Sequence, residues 1–315
     1  MPIVSVIIPT YNRDGFLQSA IESVLNQTFQ DFEIIVVDDA SNEDVHGILQ
    51  RFHDQRVKCI RHEKNKGEAG ARNTGLIHSN GEYVAFLDDD DEWVPEKLGL
   101  QVRALEKCTQ KVGGIYSGYI AVDYESSRIL YTKIPTKRGD IYQDLLIQNS
   151  IGTPSTVLVR RSCIETAGLF DENIFYGVDQ DFYLRIAKHY HFEYIEEPLV
   201  QYNIHDNRLS NNPEIRAKGL EAMSHKYKEA LGKLSRARRK PSSRTYLSLG
   251  VQFCIKGDMT KGTNALRKSI RLYPFEPRAY FYLGLSLLGK HNFTKIKHFK
   301  DLLISPFRSN GTSRY

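Results

Sequence analysis

The chain has 315 residues, 41% of them hydrophobic and 26% charged, which allows about two domains of ordinary size and excludes a disordered chain. Its apolar stretch at 280–288 falls far short of the ~20 residues that span a bilayer, and its N-terminus lacks the basic start of a signal peptide, so neither membrane spanning nor export is expected. The net charge of +5 hides a division: residues 215–315 hold 22 Lys and Arg against 5 Asp and Glu, whereas the rest holds 21 against 33, so two different tasks are expected.

Residues 4–9 (VSVIIP) are an apolar, β-branched run that predicts a buried strand. Leu17, Ile21, Val24 and Leu25 then recur at helical spacing. Residues 33–37 (EIIVV) predict a second buried strand, stopped by Asp38 and Asp39. Val45, Ile48, Leu49 and Phe52 mark the next helix, with Ser41 or Asn42 as its N-cap. A strand over 57–61, a glycine-punctuated loop entering a helix over 67–78 and a strand over 83–87 (YVAFL) follow. The last runs directly into Asp88, Asp89, Asp90 and Asp91, and Pro95 suits the first turn of another helix. Strands alternating with helices predict an α/β fold around a mostly parallel sheet covered on both faces. Ligands in such open sheets gather at the carboxyl ends of strands. Here those ends carry Thr10 and Tyr11, Asp38 and Asp39, and the four aspartates.

Beyond residue 112 the pattern is mixed, with candidate strands at 114–117, 119–124 with 129–133, 155–159 and 192–195, and a helix over 179–189. From 214 only helical patterns occur, interrupted by a basic linker at 236–244 (RARRKPSSR), so domains are expected at 1–213 and 214–315. YLSLG at 246–250 recurs as YFYLG at 280–284, an offset of 34 that matches the tetratricopeptide period. Chance similarity between two amphipathic helices is the competing reading. One and a half repeats do not bury a core alone, so docking on the rest of the chain or on a partner is expected. Cys59, Cys108, Cys163 and Cys254 show no CxxC or Cys/His spacing, which favours packed thiols in a reducing compartment over disulfides or zinc.

Four adjacent carboxylates repel one another unless a cation or solvent neutralises them. Mg²⁺ and Mn²⁺ suit such oxygen ligands, commonly with one or two carboxylates plus substrate phosphates. An acidic run in isolation is more often a solvated loop, but its place at a strand end, beside a second acidic pair, favours the metal reading. For Asp38 and Asp39, a receiver-type pair is at odds with their place after the second strand. A dehalogenase-type phosphatase motif is broken by Ala40 and Glu92. A carboxylate accepting from a nucleobase or ribose remains, as does helix capping by Asp39.

In order, residues 4–13 (VSVIIPTYNR), 36–41 (VVDDAS), 65–75 (NKGEAGARNTG), 86–95 (FLDDDDEWVP), 177–185 (GVDQDFYLR) and 202–210 (YNIHDNRLS) resemble the motifs of family 2 glycosyltransferases. The resemblance covers roughly residues 3–210 and implies a GT-A fold, with a Rossmann-like, mostly parallel sheet, ahead of the all-α region. It implies that Pro9, Thr10 and Tyr11 close over the nucleobase, that Asp39 accepts from it and that Arg72 reaches the nucleotide. Asp88 and Asp90 become the ends of a DxD motif, Asp88 toward ribose and metal and Asp90 on the metal. Asp89 shares the ribose role, and the run of four leaves this register open. His205 resembles the family histidine that helps hold metal or diphosphate, with a packed loop residue as the alternative; Asn203 stands where many relatives have Arg.

A nucleoside diphosphate leaves well only when its developing charge is neutralised, and an acceptor hydroxyl needs a base to take its proton. Asp179 is the implied base, opening the 179–189 helix; the alternative makes Asp179 an N-cap and Asp181 the base. One in-line displacement then inverts the anomeric carbon. The implied activity is an inverting transferase that uses Mn²⁺ or Mg²⁺ and moves a sugar from a UDP- or dTDP-sugar to a glycan or lipid-linked acceptor. Polysaccharide or glycolipid biosynthesis is the implied process, in the cytoplasm and peripheral to the membrane. The basic region suits an anionic lipid surface. Nucleic acid is not an expected partner, because no RNA motif or recognition helix accompanies the charge. A GT-A-like scaffold acting through the basic helices is the alternative function. Trp93 is open to sugar stacking or packing, and residues 152–155 to acceptor contact or a plain turn.

Overall fold

The computed structural model describes residues 1–295 apart from 207, 209, 210 and 236, and the chain divides into two compact units, Met1–Arg208 and Leu209–Tyr315. In the first unit, β1 (Val4–Thr10), β2 (Phe32–Asp38), β3 (Val57–Arg61) and β4 (Tyr83–Phe86) lie parallel in the order β3-β2-β1-β4. They alternate with α1 (Asp14–Leu25), α2 (Val45–Gln50) and α3 (Gly67–His78). β2 is apolar without a break because both its faces are covered. Ile34 and Val36 join the core of Leu17, Ile21 and Val24, whereas Ile35 and Val37 join Ala71 of α3. Gly75 lets α3 lie flush on β1, since a Cβ there would sit 2.4 Å from Ile7 Cγ2.

The second half of the sheet is mixed. It contains β5 (Asp91–Trp93), β6 (Val112–Asp123), β7 (Ile129–Lys133), β8 (Val157–Arg160) and β9 (His191–Ile204). The full order is β3-β2-β1-β4-β8-β6-β9-β5, with β7 paired to β6. β8 runs antiparallel to β4 and β6, β9 parallel to β6, and β5 antiparallel to β9. The helices here are α4 (Lys97–Glu106), α5 (Tyr142–Ile147), α6 (Arg161–Ala167) and α7 (Val178–Ala187).

Several expected boundaries move. Residues 67–78 are helical throughout, not a loop first, and 114–117 and 119–124 are one strand. The strand expected at 192–195 runs on to Ile204, carrying the 202–204 segment into the sheet. A 3₁₀ turn, Pro154–Thr156, precedes β8. The α2 cap is Asp44, which accepts from Gly47 N, because the helix starts later than expected and Ser41 Oγ is taken by Asn12 N. All four cysteines are free thiols, but Cys59 is exposed instead of packed.

The second unit holds α8 (Pro213–Lys226), α9 (Lys228–Gly232), α10 (Lys240–Lys256), α11 (Met259–Leu272) and α12 (Pro277–Ser286). The latter part of the expected linker is therefore the first turn of α10. YLSLG lies on α10 and YFYLG on α12, with α11 between them. α10 and α11 approach closely at two glycines: a Cβ on Gly250 would lie 2.7 Å from Leu266 Cγ, and one on Gly262 would lie 2.3 Å from Cys254 Sγ. Among the described residues no helix is long and apolar enough to cross a membrane.

Candidate active site

After β4 the chain turns tightly, Asp91 N donating to Asp88 O at 3.0 Å, and this gathers the acidic run. Carboxylate oxygens of Asp88, Asp90 and Asp91 all lie within 4.8 Å of one another. Two arginines enter the cluster. Arg13 donates to Asp89 Oδ1 at 3.0 Å and Asp90 Oδ2 at 2.8 Å. The fully buried Arg72, on α3, donates to Asp88 Oδ1 at 2.5 Å and pairs with Glu68 one turn back.

The four carboxyls are tuned differently. Burial pushes Asp91 well above the usual range, with Asp90 and Asp88 adding repulsion. Its oxygens receive Ser155 Oγ at 2.6 Å, Thr153 Oγ1 at 3.2 Å and Asn203 N at 3.3 Å. Burial also raises Asp88 against the pull of Arg72, and raises Asp89 to about 7 against Arg13. Burial works on Asp90 in the same direction, but the hydrogen bond from His205 and the charges of Arg13 and Arg208 outweigh it, and Asp90 sits below the usual range. His205 Nε2 lies 3.0 Å from Asp90 Oδ2, and its ring stacks on Phe16 at 4.6 Å between centroids.

Asp179 lies in the first turn of α7. It is not the N-cap, because Gly177 takes that place with φ 76°, a left-handed conformation that glycine adopts without strain. Asn149 Nδ2 donates to Asp179 Oδ2 at 2.6 Å and also to Gly152 O at 2.7 Å, so one amide fixes the carboxylate to the 149–152 turn. Burial, then the charge of Glu68, raises Asp179 to about 6, with Arg72 opposing. Asp88 accepts from the Arg72 guanidinium, whose charge also acts on Asp179. Asp181, the alternative base, is fully buried and receives Arg185 Nε at 2.9 Å.

At the ends of β1 and β2, Thr10 is buried and Tyr11 exposed, and Asp39 N donates to Thr10 O at 2.9 Å. Pro9, half-buried, pairs with Val37 in the register. The Asp39 carboxylate already receives His62 Nδ1 at 2.7 Å and the amides of Lys66 and Gly67 at 2.8 Å each, which ties β2 to the start of α3. Trp93 packs: it is 4% exposed, its Nε1 donates to Ser155 O and its ring lies under the buried Lys97 ammonium. Asn203 donates its amide to Glu92 and its backbone N–H to Asp91. Within residues 152–155, Thr153 also donates to Asp88 at 3.2 Å.

Sequence reasoning passed over Arg13, although it ends the first quoted motif, and over Asp91, which looks like its neighbours in a run of four. Asn149 carries no local signal, while Thr153 and Ser155 lie in the 152–155 segment whose part in the acidic cluster was not foreseen. A hard divalent cation fits the donor set: closely grouped carboxylate oxygens, three of the run raised by burial and crowding, and a fourth held anionic.

The sequence profile of glycosyl transferase family 2 matches residues 5–168, more than half of the chain. WfaP of Escherichia coli, named as a UDP-Glc:alpha-D-GlcNAc-diphosphoundecaprenol beta-1,3-glucosyltransferase, is 43% identical over 165 residues, covering 52% of this chain and 63% of that protein. TuaG of Bacillus subtilis, a glycosyltransferase named for teichuronic acid biosynthesis, is 32% identical over 214 residues, covering 67% of this chain and 82% of TuaG. The crystal structure of S. aureus TarS 1-349 in complex with UDP-GlcNAc has a TM-score of 0.63 at 19% identity, covering 93% of this chain and 89% of that one. That likeness is one of fold, a GT-A sheet with helices after it. On the family match, the ordered motifs and this fold, the chain belongs to glycosyl transferase family 2 and is a glycosyltransferase.

Proposed function

We propose that the enzyme inverts the anomeric centre of a UDP- or dTDP-sugar as it passes the sugar to a hydroxyl of a glycan or lipid-linked acceptor, in polysaccharide or glycolipid assembly. The observation that carries this reading is the 149–153 segment, in which Asn149 donates to Asp179 and Thr153 to Asp88, two carboxyls 91 residues apart in sequence. One cleft then holds an acidic cluster suited to a cation and a carboxyl suited to a base. The names of WfaP and of the TarS complex support a UDP-sugar donor, and that of WfaP a lipid diphosphate acceptor.

Asp88 and Asp90 would hold a divalent cation, Mn²⁺ or Mg²⁺, which when bound neutralises the charge that develops on the leaving diphosphate. His205 orients Asp90 and keeps it anionic. Asp91, embedded among Ser155, Thr153 and Asn203, shapes the turn rather than ligating. Tyr11 is free to cover the nucleobase, while Thr10 and Asp39, close to the base pocket, brace the β1 and β2 ends. Asp179, held by Asn149, takes the acceptor proton at its Oδ atoms as the hydroxyl attacks. A base near pKa 6 is ionised at neutral pH yet still takes up a proton.

The unit from Leu209, with tetratricopeptide-like helices, would serve as a basic accessory facing anionic lipid beside the acceptor, with the catalytic residues in 1–213. Co-sedimentation of the full chain with anionic and neutral vesicles checks this, equal binding to both counting against it.

A nucleotide-release assay over UDP-, dTDP- and GDP-sugars, with Mn²⁺, Mg²⁺ or a chelator, tests the main reading. Release from a UDP- or dTDP-sugar that needs the cation and falls to background in Asp90→Ala and Asp179→Asn is expected. Activity unaffected by both substitutions overturns the assignment.

A further inference from the structure

The β6–β7 register sets one face of the sheet beside Gly152, in the turn that Asn149 ties to Asp179. Tyr119 pairs with Lys133 and Ala121 with Tyr131, while on the other side of β6 Ala121 pairs with Tyr202. Cross-strand partners share a face, so the small Ala121 leaves room for three tyrosines around it. The Tyr119 ring lies 5.0 Å from that of Tyr202 and 6.2 Å from that of Tyr131, centroid to centroid.

Lys133 completes this face. Its side chain is half-buried, and its ammonium stands 5.6 Å from the Tyr119 ring centre. No hydrogen-bond or salt-bridge partner for that ammonium occurs among the described residues. The carboxylate whose charge it feels is Asp179, and Asp179 is gripped by the Asn149 amide instead. Gly152 keeps the ammonium accessible. Its φ of +113° disfavours any side chain, and a Cβ there would lie 3.1 Å from Tyr119 Cε1 and 3.5 Å from Lys133 Nζ. Burial lowers the lysine's pKa, the expected cost of a desolvated cation lacking a counter-ion. A cation held this way, beside aromatic faces and a carboxyl, is an arrangement for binding an anion that the chain itself does not supply.

We propose that Lys133, backed by Tyr119 and flanked by the exposed Tyr131, forms a subsite for a phosphate-bearing acceptor sugar. The inference rests on Asp179 as the base and names the chemistry on the acceptor's side of it. Donor and acceptor both offer phosphate, and placement separates them. Arg13, Arg72 and Arg208 already surround the acidic run, where a donor diphosphate belongs. Lys133 lies instead beside Gly152, in the turn that the Asn149 amide ties to Asp179, so it pairs with the phosphate of the sugar whose hydroxyl Asp179 deprotonates. Tyr131, the exposed ring of the three, presents an amphipathic face to that sugar, while the buried Tyr119 backs Lys133 and the Tyr202 ring is covered by Arg208 at 4.1 Å.

Calorimetric titration with N-acetylglucosamine 1-phosphate, free N-acetylglucosamine and UDP with Mn²⁺ tests the assignment on wild type, Lys133→Met and Lys133→Arg. Wild type is expected to bind the sugar phosphate at least tenfold more tightly than the free sugar. Lys133→Met should erase that preference, Lys133→Arg should keep it within about threefold, and UDP affinity should stay unchanged in both, which also shows that the variants fold. Equal wild-type affinity for the two sugars overturns the proposal, and so does a matching loss of UDP affinity in Lys133→Met, which would assign the lysine to the donor. The titration needs no turnover. A preserved sugar-phosphate preference in an enzyme that releases no nucleotide would therefore count against the transfer reading alone.

Discussion

Asp90 and Asp179 are the same residue type, both partly or wholly withdrawn from water, and their surroundings send them in opposite directions. Around Asp90, burial is outweighed by the hydrogen bond from His205 and by Arg13 and Arg208, so the carboxyl stays anionic. Around Asp179, burial is reinforced by Glu68, Arg72 opposes without a direct contact, and the close donor is the neutral Asn149. The surroundings of Asp90 keep a carboxylate charged, as the proposed cation ligand requires. Those of Asp179 keep a carboxylate basic, as the proposed proton transfer requires. Environment, more than residue type, divides the labour.

Asp179→Asn is the hardest test of that division. Removing a positioned base is expected to lower kcat by about 10³-fold while UDP affinity stays within about twofold of wild type. Stability separates a lost base from a damaged fold. A carboxyl whose folded pKa is raised contributes stability at low pH that is lost as pH rises through about 6. The Asn variant never ionises, so above pH 6 its Tm should equal or exceed that of wild type. Loss of UDP binding as large as the loss of turnover would break the comparison.

Arg72 joins the two sides, and Arg72→Met should act on the fold. It leaves Asp88 and Glu68, 25% and 39% exposed, without their buried partner, and should cost about 2 kcal/mol, less than the ~3 of a fully buried pair. Arg13, one quarter exposed, should matter less, with Arg13→Met costing about 1 kcal/mol. Chemical denaturation of both variants checks the order, and equal effects would show that burial does not set the difference.

The donor side was also the more legible side in the sequence. β1, β2 and β4 are short runs buried on both faces, each carrying its functional residues at its own carboxyl end, so local pattern and function coincide. In the second half, Gly118 sits inside β6 and made one strand look like two. β9 continues beyond Ile195 through Glu196, Glu197 and Pro198, which hid its length. Site residues divided in the same way. Asp88, Asp90 and Asp179 stood out by motif, whereas Asn149 meets Asp179 across 30 residues of chain and Ser155 meets Asp91 across 64. Such pairings are consequences of topology. Asp39 shows the converse: its motif was plain, but its use in bracing α3 needed the coordinates.

The pH profile sharpens the acceptor side. A base works deprotonated, so kcat should fall about tenfold per pH unit below about 6 and level off above 7. Asn149 donates to Asp179, a bond that favours the ionised form, so Asn149→Ala should move the acid limb upward by about half a unit. A downward shift, or none, would mean that the amide only positions the turn.

The smallest effect is expected inside the acidic run itself, at Asp91. Its oxygens belong to the grouped cluster, which by position alone would make it a third cation ligand. Its hydrogen bonds argue otherwise: Ser155, Thr153 and the Asn203 amide already occupy it, and burial holds it well above the usual range. An asparagine has nearly the same shape and can meet the same partners, accepting from Asn203 N and donating to a hydroxyl. Asp91→Asn should therefore keep Mn²⁺ affinity and turnover within about threefold, whereas Asp90→Asn should lose both. A large loss of Mn²⁺ affinity in Asp91→Asn would make the two carboxyls equivalent, and the distinction between charged ligand and buried support would fail within the donor side.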